Sequence, residues 1–234
     1  MSKTVFRFKQ FEVSQEKSAM KIGTDGVLLG AWAGIENSQY VLDIGTGTGL
    51  ISLMLAQRFP LAKIWGLEID ENAANEANLN FENSPFAPRL NLVHDSIQNF
   101  HSDEKFDFII SNPPFFDFTH PENSARNTAR QQTDLTLKEL LIHTNRLLNS
   151  NGKAAFILPF DKEEEFLEDA KSLDFFPDRM TRVKGNENSP IKRSLLVISK
   201  SEKEPILDEL IIEIDRNVYT QDYIDLTRDF YLKM

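Results

Sequence analysis

Apolar and polar positions along the chain fall into short blocks with two alternating periods. Tyr40–Ile44, Lys63–Ile69, Leu90–Val93, Phe106–Ser111 and Lys153–Leu158 are short apolar-rich runs and read as buried strands. Leu50–Arg58, Glu71–Asn83, Asp134–Asn149 and Asp161–Leu173 lie between or after them and read as helices. In the third of these, Leu135, Leu137, Leu140, Leu141, Leu147 and Leu148 supply the apolar side. Met180–Lys184 and Ser194–Ser199 close the series as strands with no helix between them. Such strand–helix alternation predicts an α/β fold: a mostly parallel sheet with helices on both faces. The adjacent late strands predict an antiparallel pair at one edge.

The flanks are less regular. Val5–Val13 alternates aromatic and polar residues and reads as a short hairpin or an irregular cap. Thr24 is a candidate N-cap for an apolar stretch that ends near Gly34. After residue 200 there is a strand-like Leu210–Ile214 and a helical Asp222–Tyr231. Phe115–Thr133 is a long polar loop rich in Asn, Thr, Gln and Arg, of the kind that is functional or mobile; partial disorder is expected there in the absence of a ligand. The expected organisation is a single domain over 1–234: an N-terminal cap (1–39), a core (40–200) and a strand–helix extension (201–234).

Composition narrows the chemistry. The chain has 234 residues, enough for a full core, and 41% hydrophobic residues, ordinary for a soluble globular protein. It lacks cysteine, which excludes disulfides, thiolate metal sites and thiol nucleophiles. The first ten residues lack a signal-peptide core and no run is long enough to span a membrane, so a cytoplasmic protein is expected. A formal net charge of −10 is the wrong sign for a non-specific nucleic-acid binder; any nucleic-acid substrate needs basic residues gathered on one face.

Asp43-Ile44-Gly45-Thr46-Gly47-Thr48-Gly49 follows a strand and enters a helix, where glycines let the backbone turn and approach a ligand. The third glycine falls one residue early for a dinucleotide fingerprint, and Leu50 stands in its place. The D-x-G-x-G-x-G form resembles instead the first motif of class I methyltransferases. The resemblance implies a Rossmann-like fold and S-adenosylmethionine as cofactor, held by Asp43, Gly45, Gly47 and Gly49. Glu68, ending the second strand, can accept both ribose hydroxyls, while Asp70 caps the next helix. The resemblance further implies Asp95 and Ser96 at the adenine; the other reading of Asp95 is a loop or helix cap.

Ser111-Asn112-Pro113-Pro114-Phe115 stands at the carboxyl end of a strand, where open α/β sheets place ligands. Two prolines remove two donors and fix the path, leaving exposed carbonyls beside the Asn112 carboxamide and the Phe115 ring. The segment resembles the N-P-P-[YF] motif of enzymes that methylate nitrogens on planar systems. An exocyclic amine is a poor nucleophile because its lone pair is delocalised. Donating its hydrogens to Asn112 and to the Pro113 carbonyl localises that pair, with no need for a metal. The other reading is a plain Pro-Pro turn.

Phe8-Lys9-Gln10-Phe11 and the run Ala19–Trp32, with Met20-Lys21-Ile22-Gly23-Thr24-Asp25-Gly26 inside it, resemble the opening of one bacterial family, and Tyr219-Thr220 with Leu226-Thr227-Arg228-Asp229-Phe230-Tyr231-Leu232 its closing signature. That family methylates N6 of the adenosine beside the anticodon (position 37) of a valine tRNA. The resemblance implies that Lys21, Gly23, Thr24 and Asp25 fold over the cofactor's methionine end, that Asn112 also touches the cofactor, and that tRNA is the partner. Candidate phosphate contacts are Lys3, Arg7, Lys9, Arg126, Arg130, Arg179, Arg182, Lys184, Lys192 and Arg193, foremost Arg126, Arg130, Lys192 and Arg193. For any one of them, a solvated or internally paired side chain is the competing reading. No metal or membrane partner is expected, and a monomer is favoured. Related functions with the same loop are methylation of guanine N2 in ribosomal RNA or of a protein glutamine amide; a different class is a non-catalytic cofactor-binding subunit.

Overall fold

The computed structural model describes residues 5–18, 21–35, 37–114 and 135–233. Its strands are β1 (Val5–Arg7), β2 (Glu12–Ser14), β3 (Tyr40–Ile44), β4 (Lys63–Glu68), β5 (Leu90–His94), β6 (Phe106–Ser111), β7 (Leu148–Pro159), β8 (Phe176–Asn186), β9 (Ile191–Ser199), β10 (Ile206–Asp215) and β11 (Val218–Tyr219). Its α-helices are α1 (Thr24–Trp32), α2 (Leu50–Arg58), α3 (Glu71–Glu82), α4 (Leu137–Leu147), α5 (Glu163–Ser172) and α6 (Gln221–Thr227). β1 and β2 form the hairpin reading of the N-terminal segment.

The main sheet runs β11-β10-β8-β9-β7-β6-β3-β4-β5. β5, β4, β3, β6 and β7 are mutually parallel; β9 is antiparallel to both β7 and β8. The two adjacent late strands thus pair antiparallel, and β10 and β11 extend the sheet beyond them. Side chains alternate between two cores. Val41, Phe108, Ile110, Ala155, Ile157, Leu195 and Val197 face one, with α1 and α2; Leu42, Ile109, Ala154, Phe156, Leu158, Leu196 and Ile198 face the other, with α4 and α5. Both faces are covered, which is why these strands read as continuous apolar runs.

Several boundaries differ from expectation, each for a local reason. Gly23, not Thr24, is the N-cap of α1, and no side chain caps it. α4 starts at a capping box in which Thr136 and Glu139 exchange side-chain and backbone bonds, rather than at Asp134, which lies outside the described residues. β7 takes over from α4 at Leu148. Asp70 caps α3 by accepting from the Ala73 N–H at 2.9 Å, as expected.

The two ends of the chain meet. Lys9 N donates to the Phe230 carbonyl at 2.8 Å, Phe8 bridges Tyr231, and their rings stack with centroids 6.0 Å apart. The opening and closing signatures are therefore one packing unit.

Candidate active site

The strand order reverses between β3 and β6, so their carboxyl ends border a crevice. The glycine loop leaves β3 and Asn112 leaves β6 on the same side. Ser111 Oγ donates to the Ile44 carbonyl at 2.8 Å and ties the two strand ends together.

Gly45, Gly47 and Gly49 all adopt the left-handed region, at φ 70°, 58° and 83°. Their reasons differ. A Cβ added at Gly45 or Gly47 meets nothing within 4 Å, whereas one at Gly49 falls 2.5 Å from Phe81 Cε1. The first two glycines leave an open cradle; the third allows α2 and α3 to pack closely. Asp43 is fully buried beneath the loop. Its Oδ2 accepts from Thr46 Oγ1 at 2.7 Å and Ser52 Oγ at 2.8 Å; its Oδ1 is buried with no partner among the described residues. Burial pushes the Asp43 carboxyl up to about 6 against those bonds. Asp43 therefore braces the loop from below.

Glu68 sits at the end of β4 and is 8% exposed. It accepts from Gly47 N at 2.8 Å and from Ile69 N and Asp70 N at 2.9 Å. About one of a carboxylate's four acceptor positions remains, on Oε2 beside the cradle. Asp95 is half-buried at the end of β5; its Oδ1 accepts from Ser96 N at 2.7 Å, and Ser96 Oγ from Asn99 N at 3.2 Å. Asn112 is half-buried, Pro113 buried and Pro114 exposed. Phe115 and the loop that follows it, with Arg126 and Arg130, lie outside the described residues, as does Lys3.

The N-terminal residues fold in a way the sequence did not disclose. Lys21 Nζ turns back onto the carbonyls of Gln15, Glu16 and Ser18. Gly23 and Thr24 open α1, and Asp25 accepts from Arg193 Nε at 2.8 Å. The cationic candidates on the last strands are similarly engaged. Arg179 pairs with Asp208 at 2.8 Å, Arg182 with Glu163 at 2.7 Å and Lys184 with Glu209 at 2.8 Å. Arg7 pairs with Glu12 at 2.9 Å, and Lys9 Nζ donates to the Arg228 carbonyl. Each of these, Arg193 included, is thus internally engaged; Lys192 is exposed. Missed from sequence were Thr46 and Ser52, which hold Asp43, and Glu76 and Asn80 of α3, which hold the N-terminal segment.

The chain is 48% identical over 235 residues to the tRNA1(Val) (adenine(37)-N6)-methyltransferase of Flavobacterium johnsoniae, covering 98% of this chain and 100% of that one. It belongs to the tRNA1(Val) (adenine(37)-N6)-methyltransferase family. The Bacteroides fragilis member is 43% identical over 238 residues, the whole of both chains. A model of the methyltransferase small domain matches residues 22–168. Among solved structures, a predicted O-methyltransferase, protein Atu636 from Agrobacterium tumefaciens, superposes with a TM-score of 0.71 at 18% identity, covering 88% of this chain and 96% of that one. The glycopeptide N-methyltransferase MtfA complexed with S-adenosylmethionine gives 0.57 at 11% identity, covering 77% and 100%. These neighbours share the fold.

S-adenosylmethionine is the methyl donor of this family. The cradle suits it: Gly45 and Gly47 leave room where any side chain would intrude, and Glu68 stands beside them. Among the described residues, no group of three or more acidic or histidine side chains is placed to hold a metal, and no helix is long and apolar enough to cross a membrane.

Proposed function

We propose that the chain transfers a methyl group to the exocyclic N6 of the adenine at position 37 of tRNA1(Val), the acceptor named for its full-length relatives. The observation that carries the reading is the placement of Asn112-Pro113 at the end of β6, joined through Ser111 to the strand that launches the glycine loop. Bound S-adenosylmethionine supplies an electrophilic methyl on a sulfonium. Gly45 and Gly47 admit it, Glu68 accepts from one ribose hydroxyl at the free position on its Oε2, and Asp95 with Ser96 borders the adenine. The Asn112 carboxamide oxygen and the Pro113 carbonyl accept the two hydrogens of the acceptor amine. This localises the nitrogen lone pair toward the methyl; after transfer, the cationic nitrogen releases one hydrogen as a proton to solvent, and positioning and electrostatics carry the reaction.

Phe115 supplies the stacking face for the base. Lys192, with Arg126 and Arg130, supplies phosphate contacts, while Arg193 acts inside the protein. An adenosine in an anticodon loop is partly unstacked, so extruding it costs less than in a duplex. A tRNA acceptor puts the reaction in the cytoplasm, and one chain, acting as a single unit, carries every group invoked. The test is methyl transfer from labelled S-adenosylmethionine to tRNA lacking this modification, followed by nucleoside analysis. N6-methyladenosine that disappears with Asn112→Ala is expected. Transfer to guanine or to protein instead would overturn the acceptor assignment.

A further inference from the structure

α3 presents two buried polar side chains to the N-terminal segment. Glu76 and Asn80 are each 4% exposed. The Glu76 carboxylate accepts the backbone N–H groups of Glu16, Lys17 and Ser18. The Asn80 carboxamide accepts from Ser14 N at 2.8 Å and donates to Ser14 O at 3.0 Å. It also donates to the Thr48 carbonyl, in the glycine loop, at 2.8 Å. One amide thus bonds the N-terminal segment and the cofactor loop at once. The segment closes on itself: Gln15 Oε1 accepts from Ile22 N at 2.8 Å, and the Lys21 ammonium sits on three carbonyls. It then enters α1, where Arg193 holds Asp25.

A buried carboxylate and a buried amide are costly unless their bonds are made. Here nearly all of those bonds go to residues 14–18, so that stretch has one favoured position beside the glycine loop. The direction it faces follows from the sulfonium, which carries three substituents. On the function proposed above, ribose lies toward Glu68 and the transferred methyl toward Asn112. The third substituent, the aminobutyrate chain, then lies against Gly45 and Gly47 and the segment that Glu76 and Asn80 hold.

We infer that Glu76 and Asn80 are positioning residues for the methionine end of S-adenosylmethionine, acting through residues 14–18 and the Thr48 carbonyl. Glu76→Gln leaves one acceptor oxygen and sets an NH2 donor either against Ser18 N or against the N–H groups of Glu16 and Lys17, and Asn80→Asp sets a carboxylate against two carbonyls. Neither substitution changes the identity of a cradle residue.

The test is direct binding by calorimetry, with S-adenosylmethionine and with 5′-methylthioadenosine, which keeps the nucleoside but lacks the aminobutyrate chain. Either variant should weaken S-adenosylmethionine about tenfold and change 5′-methylthioadenosine by less than about twofold. Equal weakening of both ligands marks a merely structural role and overturns the inference, as does unchanged affinity for S-adenosylmethionine. A wild-type chain that binds no S-adenosylmethionine overturns the proposed function and this inference with it. Hydrogen exchange of the unsubstituted chain reads the same point without a variant. The amides of Glu16, Lys17 and Ser18 should slow with S-adenosylmethionine and not with 5′-methylthioadenosine; no difference between the ligands overturns the inference.

Discussion

Arg193 Nε donates to Asp25 Oδ2 at 2.8 Å and joins the start of β9 to the first turn of α1. The two residues look unrelated in sequence, one a candidate for RNA phosphate and the other for cofactor. In the fold each satisfies the other. Both side chains are about a third exposed, so solvent screens the pair and its coupling should be about 0.2–1 kcal/mol in a double-mutant cycle of unfolding. An internally paired arginine releases few counterions on RNA binding. Arg193→Ala should therefore leave the salt dependence of tRNA affinity nearly unchanged, while Lys192→Ala should lower its slope by about 0.7. A larger change for Arg193 than for Lys192 would reverse these assignments.

The three glycines of the loop should separate experimentally. Gly49→Ala puts a methyl 2.5 Å from the Phe81 ring at φ 83°, so strain and overpacking add. A loss of about 2–5 kcal/mol in urea unfolding is expected. Gly47→Ala meets open space and should cost only the left-handed backbone, about 1–2 kcal/mol, yet abolish most cofactor affinity because the methyl occupies the cradle. Similar stability losses for the two would contradict the packing role of Gly49.

Asp43 should leave a pH signature on stability. Burial raises its folded-state value to about 6 from 3.8, so the native state holds a proton that the unfolded chain has released. The sign follows: Asp43 contributes stability in full below about 3.8, and that contribution is lost as pH rises through about 6. The difference amounts to something on the order of 3 kcal/mol. Asn cannot titrate, so the stability of wild type minus that of Asp43→Asn should fall by roughly this amount between pH 4 and 7. A flat difference across that range would exclude a raised Asp43.

Much of this was legible beforehand, and the limits have physical causes. Tyr40–Ile44, Leu50–Arg58 and Phe106–Ser111 match their expected bounds because each is an apolar-rich run ended by a breaker: Gly45, Pro60 and Asn112-Pro113 respectively. The start of α4 could have been read too: Thr136 and Glu139 form the T-x-x-E of a capping box. Glu76 and Asn80 were hidden for another reason. On a polar helix face, a residue buried by a distant segment looks the same as one in water, and here β2, the turn after it and the glycine loop cover this face. The ion pairs were hidden likewise: Arg179 and Lys184 find Asp208 and Glu209 through the register of β8 with β10, and Arg182 finds Glu163 at the start of α5 through packing of that helix on the sheet, none of it through sequence spacing. The Asn112 segment was legible as a motif at a strand end, and the structure added its tie to β3.

That tie makes Asn112 the sharpest test of mechanism. Its side chain is proposed to accept from the acceptor amine, an interaction that strengthens as the nitrogen gains positive charge in the transition state. Removing it should therefore lower kcat more than it weakens either substrate. Asn112→Ala should reduce the single-turnover rate by about a hundredfold, comparable to deleting one oriented hydrogen-bonding group at a charged transition state. The Kd for S-adenosylmethionine should change by less than about threefold. Asn112→Asp keeps acceptor oxygens at the same reach and should recover part of the rate lost in the alanine variant. If both variants instead lose cofactor affinity in proportion to rate, Asn112 serves the cofactor, and the lone pair of the acceptor must be localised by the Pro113 carbonyl alone.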